Sequence, residues 1–137
     1  MTEELIKFKE FDNDRALKFF EAVQKIYQLK KLQAVRIRVY LDGDIVFQKI
    51  PTGKKTDEWL NRKQFIVMAS GHSSLYVFDH QDEFPWLRHN PQVIMTGGGY
   101  PIYVGKELRG CFVVSGLDHR DDHQLIVNAI KEMEQKR

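Results

Sequence analysis

Val35-Arg36-Ile37-Arg38-Val39-Tyr40-Leu41-Asp42-Gly43 decides the fold class. Val35, Ile37, Val39 and Leu41 alternate with Arg36, Arg38 and Tyr40, the period of a strand with one buried face. Asp42-Gly43 is the two-residue signal of a type I′ hairpin, because both central residues of that turn need positive φ. The chain therefore returns on itself over 45–50, where Pro51 and Gly53 end the second strand. A second hairpin is read over 101–104 and 107–114, with Gly105-Lys106 at its turn. Two hairpins mean antiparallel pairing, which excludes a doubly wound parallel sheet.

Helices fill the intervals. A helix over about 13–31 is capped by Asn13, and its Ala16, Phe19, Phe20, Val23, Ile26 and Tyr27 keep helical spacing. A second starts at Thr56, with Asp57 and Glu58 suited to its dipole, and ends at Ser70-Gly71. A short one is expected over 73–80. The C-terminal helix starts at Asp118 and turns Ile126, Val127, Ile130 and Met133 inward. Val93-Ile94-Met95 reads as a short fifth strand. The 81–92 segment, with Asp82-Glu83-Phe84-Pro85-Trp86, reads as an exposed, adaptable loop. The expected fold is α+β, a central, mostly antiparallel sheet of about five strands covered by helices. The whole of 1–137 is read as one domain, with 1–11 as an arm whose Phe8 and Phe11 could dock.

Composition limits the function classes. The 137 residues suit one domain with a core of its own, and a net charge of +2 with dispersed lysines and arginines gives no nucleic-acid footprint. No run approaches the roughly 18 apolar residues of a membrane span. The lone Cys111 lies in an apolar strand, and the acidic start Met1-Thr2-Glu3-Glu4 has no signal-peptide core. A cytoplasmic location is expected.

The second helix carries the most informative charge. With Trp59 at zero and 100° per residue, Ile66 falls at about 340°, Lys63 at about 40°, Val67 at about 80° and Leu60 at about 100°. Lys63 thus points out of the middle of an apolar arc, with Arg62 beside it. It must find a partner, extend to water or bind something anionic. On the last reading, Lys63→Met leaves the fold intact and abolishes anion binding. Gly97-Gly98-Gly99 permits close approach of a ligand to main-chain N–H groups, or marks a tight corner between strands. His72 either caps the preceding helix or serves as an axial ligand or proton donor. His119 and His123 have i, i+4 spacing but no third soft ligand, so no metal site is assigned. Arg36 and Arg38 are solvated, paired with acidic neighbours or turned to a subunit interface. Ser73, Ser74 and Ser115 lack a Gly-x-Ser-x-Gly elbow.

Taken together, Asn13-Asp14-x-Ala16, the Asp42-Gly43 hairpin, Glu58-Trp59-x-x-Arg62-Lys63, His72-x-Ser74, Gly97-Gly98-x-x-Pro101-Ile102, Val114-Ser115-Gly116-Leu117 and Asp122-His123 resemble the uncharacterised cytosolic branch of the GlcG/HbpS-like superfamily, often labelled a haem-degrading domain. The resemblance covers 12–135. It implies a three-layer α/β/α, profilin-like domain in a homo-oligomer, and distant relatives that bind haem. By position it marks Trp59, Arg62, Lys63, His72, Ser74, Gly97, Gly98, Ser115 and His123; Gly99 completes the glycine loop. Many relatives have a histidine just before the glycines, where this chain has Thr96. The expected function is binding of a small anionic ligand, haem among the candidates. The alternatives are a haem-degrading or peroxide-linked enzyme and a non-enzymatic assembly or protein-interaction module.

Overall fold

The Asp42-Gly43 turn has the backbone its sequence demands, with φ of 53° and 89°. It joins β1 (Arg36–Leu41) to β2 (Asp44–Lys49). The computed structural model describes residues 3–135, apart from the side chain of Gln135. Chain order is α1 (Asn13–Leu29), β1, β2, α2 (Glu58–Ser70), α3 (Ser74–Asp79), a 3₁₀ turn at Gln81–Glu83, α4 (Pro85–Arg88), β3 (Gly99–Val104), β4 (Glu107–Ser115) and α5 (His119–Gln135). The sheet runs β2-β1-β4-β3, antiparallel throughout. Among the described residues no helix is long and apolar enough to cross a membrane.

Alternation along the strands builds three layers. Ile37, Val39, Tyr100, Ile102, Phe112 and Val114 face α1 and α5 and share one core with Phe19, Val23, Ile126 and Ile130. Phe19 stacks on Phe112 with ring centroids 4.1 Å apart. Cys111 and Val113 face the other way, onto Leu60 and Val67 of α2. Burial there pushes the Cys111 thiol up to about 12, so the sulfur stays protonated and inert.

The α2 side of the sheet also carries the two arginines. Arg38 is 1% exposed, and its guanidinium donates to Gln48 Oε1 at 2.6 Å, Asn61 Oδ1 at 2.7 Å, Gln64 Oε1 at 3.0 Å and Asp57 Oδ2 at 3.2 Å. Arg36 Nε donates to the Thr56 carbonyl at 2.8 Å. Both side chains tie β1 to the start of α2, and the planar fork of Arg38 reaches several acceptors at once. Arg38 is therefore paired inside the chain, which the alternation of β1 alone left open.

Four expectations are corrected. The sheet has four strands, not five. Val93 and Met95 pack beside Ile66 and Val77 of the α2–α3 side, and no strand forms there. The edge of β3 is met instead by the N-terminal arm: Phe8 bridges Val104 in parallel. The 81–92 segment is anchored rather than loose, since Phe84 and Leu87 are buried against Ile66 and Val77. At the helix starts, Asp12 rather than Asn13 caps α1, accepting the Arg15 N–H at 2.9 Å. Thr56 Oγ1 accepts the Glu58 N–H, while Asp57 holds the cap position of α2.

Candidate functional site

Lys63 lies on the inner face of α2, only 2% exposed. Its Nζ donates to the Val114 carbonyl at 2.9 Å and to Asp122 Oδ2 at 3.0 Å. Asp122 stands in the first turn of α5, on the far side of the sheet, so one side chain joins the two helical layers. The Asp122 carboxylate also accepts the Leu117 N–H at 2.9 Å and the Gly116 N–H at 3.4 Å. Burial pulls the Lys63 ammonium down and pushes the Asp122 carboxyl up, and the opposite charge of each opposes that drift in the other. Of the three fates open to Lys63, the structure shows an internal partner. Lys63→Met would strand a buried carboxylate, so the expectation of an intact fold is replaced by one of destabilisation.

The glycines make this crossing possible. Gly98 has φ of +116°, and a Cβ there would lie 2.5 Å from the Val114 oxygen and 2.6 Å from Lys63 Nζ. The neighbouring N–H groups are engaged: Gly97 donates to His119 Nδ1 at 2.9 Å, and Gly99 donates to Ser74 Oγ at 2.8 Å. Val114 N–H returns a bond to the Gly98 carbonyl at 2.8 Å. The loop is thus a tight corner between α2, α3, α5 and β4. Because His119 Nδ1 accepts, the proton of its neutral ring sits on Nε2. His123 Nδ1 is buried without a hydrogen-bond partner among the described residues, and burial holds its pKa below the usual histidine range. Among those residues no group of three His, Cys, Asp or Glu side chains is placed to hold a metal ion.

His72 has a different setting. Gly71, in the left-handed region, ends α2 and delivers His72 beside α3. The His72 ring stacks on Tyr76 with centroids 4.5 Å apart, meets Phe84 edge-on at 5.5 Å, and keeps 30% of its side chain exposed. Tyr76 is stacked on its other side by His80 at 4.0 Å. The Nδ1 atom of His72 lies 3.2 Å from Glu3 Oε1. That carboxylate also accepts the Ser73 N–H at 2.9 Å and the Ser73 hydroxyl. Its charge acts on His123 too, raising that pKa against the effect of burial.

The residues singled out in the sequence therefore separate. Lys63, Ser74, Gly97, Gly98 and Gly99 meet in one buried latch, with Ser115 also buried at the adjoining end of β4. His72 stands at the α2–α3 junction, and His123 lies beside Tyr100, 5.9 Å between ring centroids. Trp59 and Arg62 are on the outer side of α2, where the guanidinium lies 4.8 Å from the indole centroid and pairs with Glu58. Asp122, His119, Ser73 and Glu3 complete these groups without having been assigned these partners from sequence. Asp122 had a signal: it precedes Ile126 by four residues and Ala129 by seven, and so falls on the apolar stripe of its own helix.

The chain matches the family model described as "Haem degrading protein HbpS-like" over residues 11–131. A relative named "UPF0303 protein" from Psychromonas ingrahamii is 31% identical, over 93% of this chain and 86% of its own length. The fold is shared with the crystal structure of the Ybr137w protein, at a TM-score of 0.79 and 20% identity, over 96% of this chain and 83% of that one. It is also shared with the protein in a crystal structure titled "PduOC:Heme Complex", at a TM-score of 0.68 and 16% identity, over 92% of this chain and 94% of that one.

A substitution at the crossing separates a required glycine from a convenient one. Gly98→Ala is expected to lower unfolding free energy by about 3 kcal/mol, because strain and collision coincide. Gly43→Ala, with nothing within 4 Å of the added carbon, is expected to lower it by about 1 kcal/mol. Urea denaturation reads both, and equal losses would show that the corner has room for a side chain.

Proposed function

We propose that this chain, which belongs to the HbpS-like family of haem-degrading proteins, is a binding domain for a planar anionic ligand of the haem class, with His72 as the ligating side chain. The observation that carries the reading is the His72 ring, an imidazole 30% exposed within an aromatic frame of Tyr76 and Phe84. Such a donor suits haem, whose iron takes an axial imidazole and whose macrocycle needs apolar contact. Haem, when bound, supplies a redox-active iron. The reading assigns binding and no reaction. Lys63 and the glycine loop enter it as the frame that fixes Ser73, Ser74 and His72, since the Lys63 amine and the Gly97 and Gly99 N–H groups have internal partners.

Assembly belongs to the same reading. Trp59, Phe65 and Ile94 are 38%, 51% and 40% exposed. Phe65 and Ile94 line a groove of about 310 Å³ with Asn61, Arg62 and Val93. A homo-oligomer covering this side of α2 would remove that apolar area from water. A cytoplasmic location is also part of the proposal, supported by a lone buried cysteine.

Two measurements test these statements. Hemin titration followed by Soret absorbance is expected to give a saturable shift in the wild type. His72→Ala should weaken binding at least about tenfold, whereas His89→Ala on the exposed end of α4 should leave it unchanged. A Soret band indifferent to His72→Ala contradicts ligation there. Light scattering is expected to report a multiple of 16.2 kDa at micromolar concentration, and a Phe65→Glu variant is expected to lower it. A 16.2 kDa particle in the wild type contradicts assembly.

A further inference from the structure

The arm before α1 is held at several points. Phe8 N–H donates to the Tyr103 carbonyl at 2.9 Å, Gly105 N–H to the Phe8 carbonyl at 3.3 Å, and Ile6 N–H to the Tyr100 hydroxyl at 2.8 Å. Phe8 and Phe11 meet Phe112 edge-on, at 5.9 Å and 5.4 Å. These contacts fix the arm along the edge of β3 and leave only a short span to Glu3. The Glu3 side chain is 12% exposed, and its two oxygens serve His72 Nδ1, the Ser73 N–H and the Ser73 hydroxyl.

We infer that Glu3 is a positioning residue for His72: its carboxylate holds the ring proton on Nδ1 and leaves Nε2 as the lone-pair nitrogen. A carboxylate can only accept, so the nitrogen facing it must carry hydrogen. In the neutral ring the other nitrogen is then the donor to a metal. Ligating histidines in proteins use this arrangement, in which a carboxylate fixes the tautomer and makes the ligating nitrogen more basic. The stack on Tyr76 and the edge contact with Phe84 hold the ring plane, so Glu3 sets the tautomer while the aromatics set the orientation.

Glu3 lies before residue 11, where the family match begins. The group that prepares His72 thus comes from a segment outside the matched span. This has an energetic consequence that rests on the proposed ligand role of His72. If ligation requires the Nε2 lone pair, docking of the arm and binding of the ligand favour each other by the same factor.

The test separates the two layers of this account. Nitrogen-15 NMR of the histidine rings, in the full chain without ligand, reads the His72 tautomer directly, with His72→Gln used for assignment. The wild type is expected to show the Nδ1–H form. Glu3→Leu, which removes the carboxylate and keeps apolar bulk, should shift the ring to a mixture containing Nε2–H. Glu3→Gln, which retains one acceptor oxygen, should fall between, and serves as the second variant if Glu3→Leu perturbs the arm. Amide exchange at Ile6 and Phe8 checks that the arm remains docked. A ring that stays Nδ1–H in Glu3→Leu overturns the inference, whatever binds. Hemin affinity should then fall at least about tenfold in Glu3→Leu. A tautomer shift with unchanged hemin affinity overturns the coupling. A tautomer shift in a protein whose wild type never binds hemin confirms Glu3 as the positioning residue and rejects the ligand role of His72 instead.

Discussion

A lysine ammonium buried to 2% exposure needs a carboxylate, and Lys63 finds one across the end of the sheet, 3.0 Å away on Asp122. Burial of either charge alone would cost several kcal/mol. The two therefore constrain where α2 and α5 can lie relative to β4. The ammonium passes close to Gly98, whose missing side chain leaves room for it, and rests on the Val114 carbonyl. The carboxylate gathers the Gly116 and Leu117 N–H groups as well, and so closes the turn between β4 and α5. An ion pair, two backbone donors and one carbonyl form a single polar knot inside an apolar surround.

That knot adjoins the elements that carry the residues around His72. Ser74 Oγ holds Gly99, and Ser73 caps α3 by accepting the Tyr76 N–H. His72 sits between the end of α2 and that cap. Its ring is then enclosed from three sides by contributions of different origin: Tyr76 from α3, Phe84 from the turn before α4, and Glu3 from the arm. The separation of duties has a physical basis. Lys63 and Asp122 are buried and bridge two layers, whereas His72 remains partly exposed.

The sequence made the fold legible where periodicity and turn chemistry agree. The first hairpin follows from alternation before a turn, and Asp42-Gly43 has the positive φ values its type demands. The 93–95 segment failed because a three-residue apolar run has no period to distinguish a strand from a packed loop. Likewise, polarity over 81–92 hid Phe84 and Leu87, two anchors spaced three apart in a short turn of helix. For the site, the misplaced charge of Lys63 was visible, and Asp122 was the matching anomaly on another helix. Nothing local pairs two residues 59 positions apart; only the layer packing does. Glu3 was less visible still, because an exposed-looking acidic start carries no pattern, and its role arises from where Phe8 docks.

Lys63 and Asp122 act as one unit, and a double-mutant cycle in urea denaturation tests this most directly. Lys63→Met and Asp122→Leu should each lower the unfolding free energy by about 3–5 kcal/mol, because each strands the other charge. The double variant should lose less than the sum, with a coupling of at least about 2 kcal/mol, since apolar side chains then replace both charges. Losses that add to within about 0.5 kcal/mol would contradict the account and show two independent contacts in place of a latch.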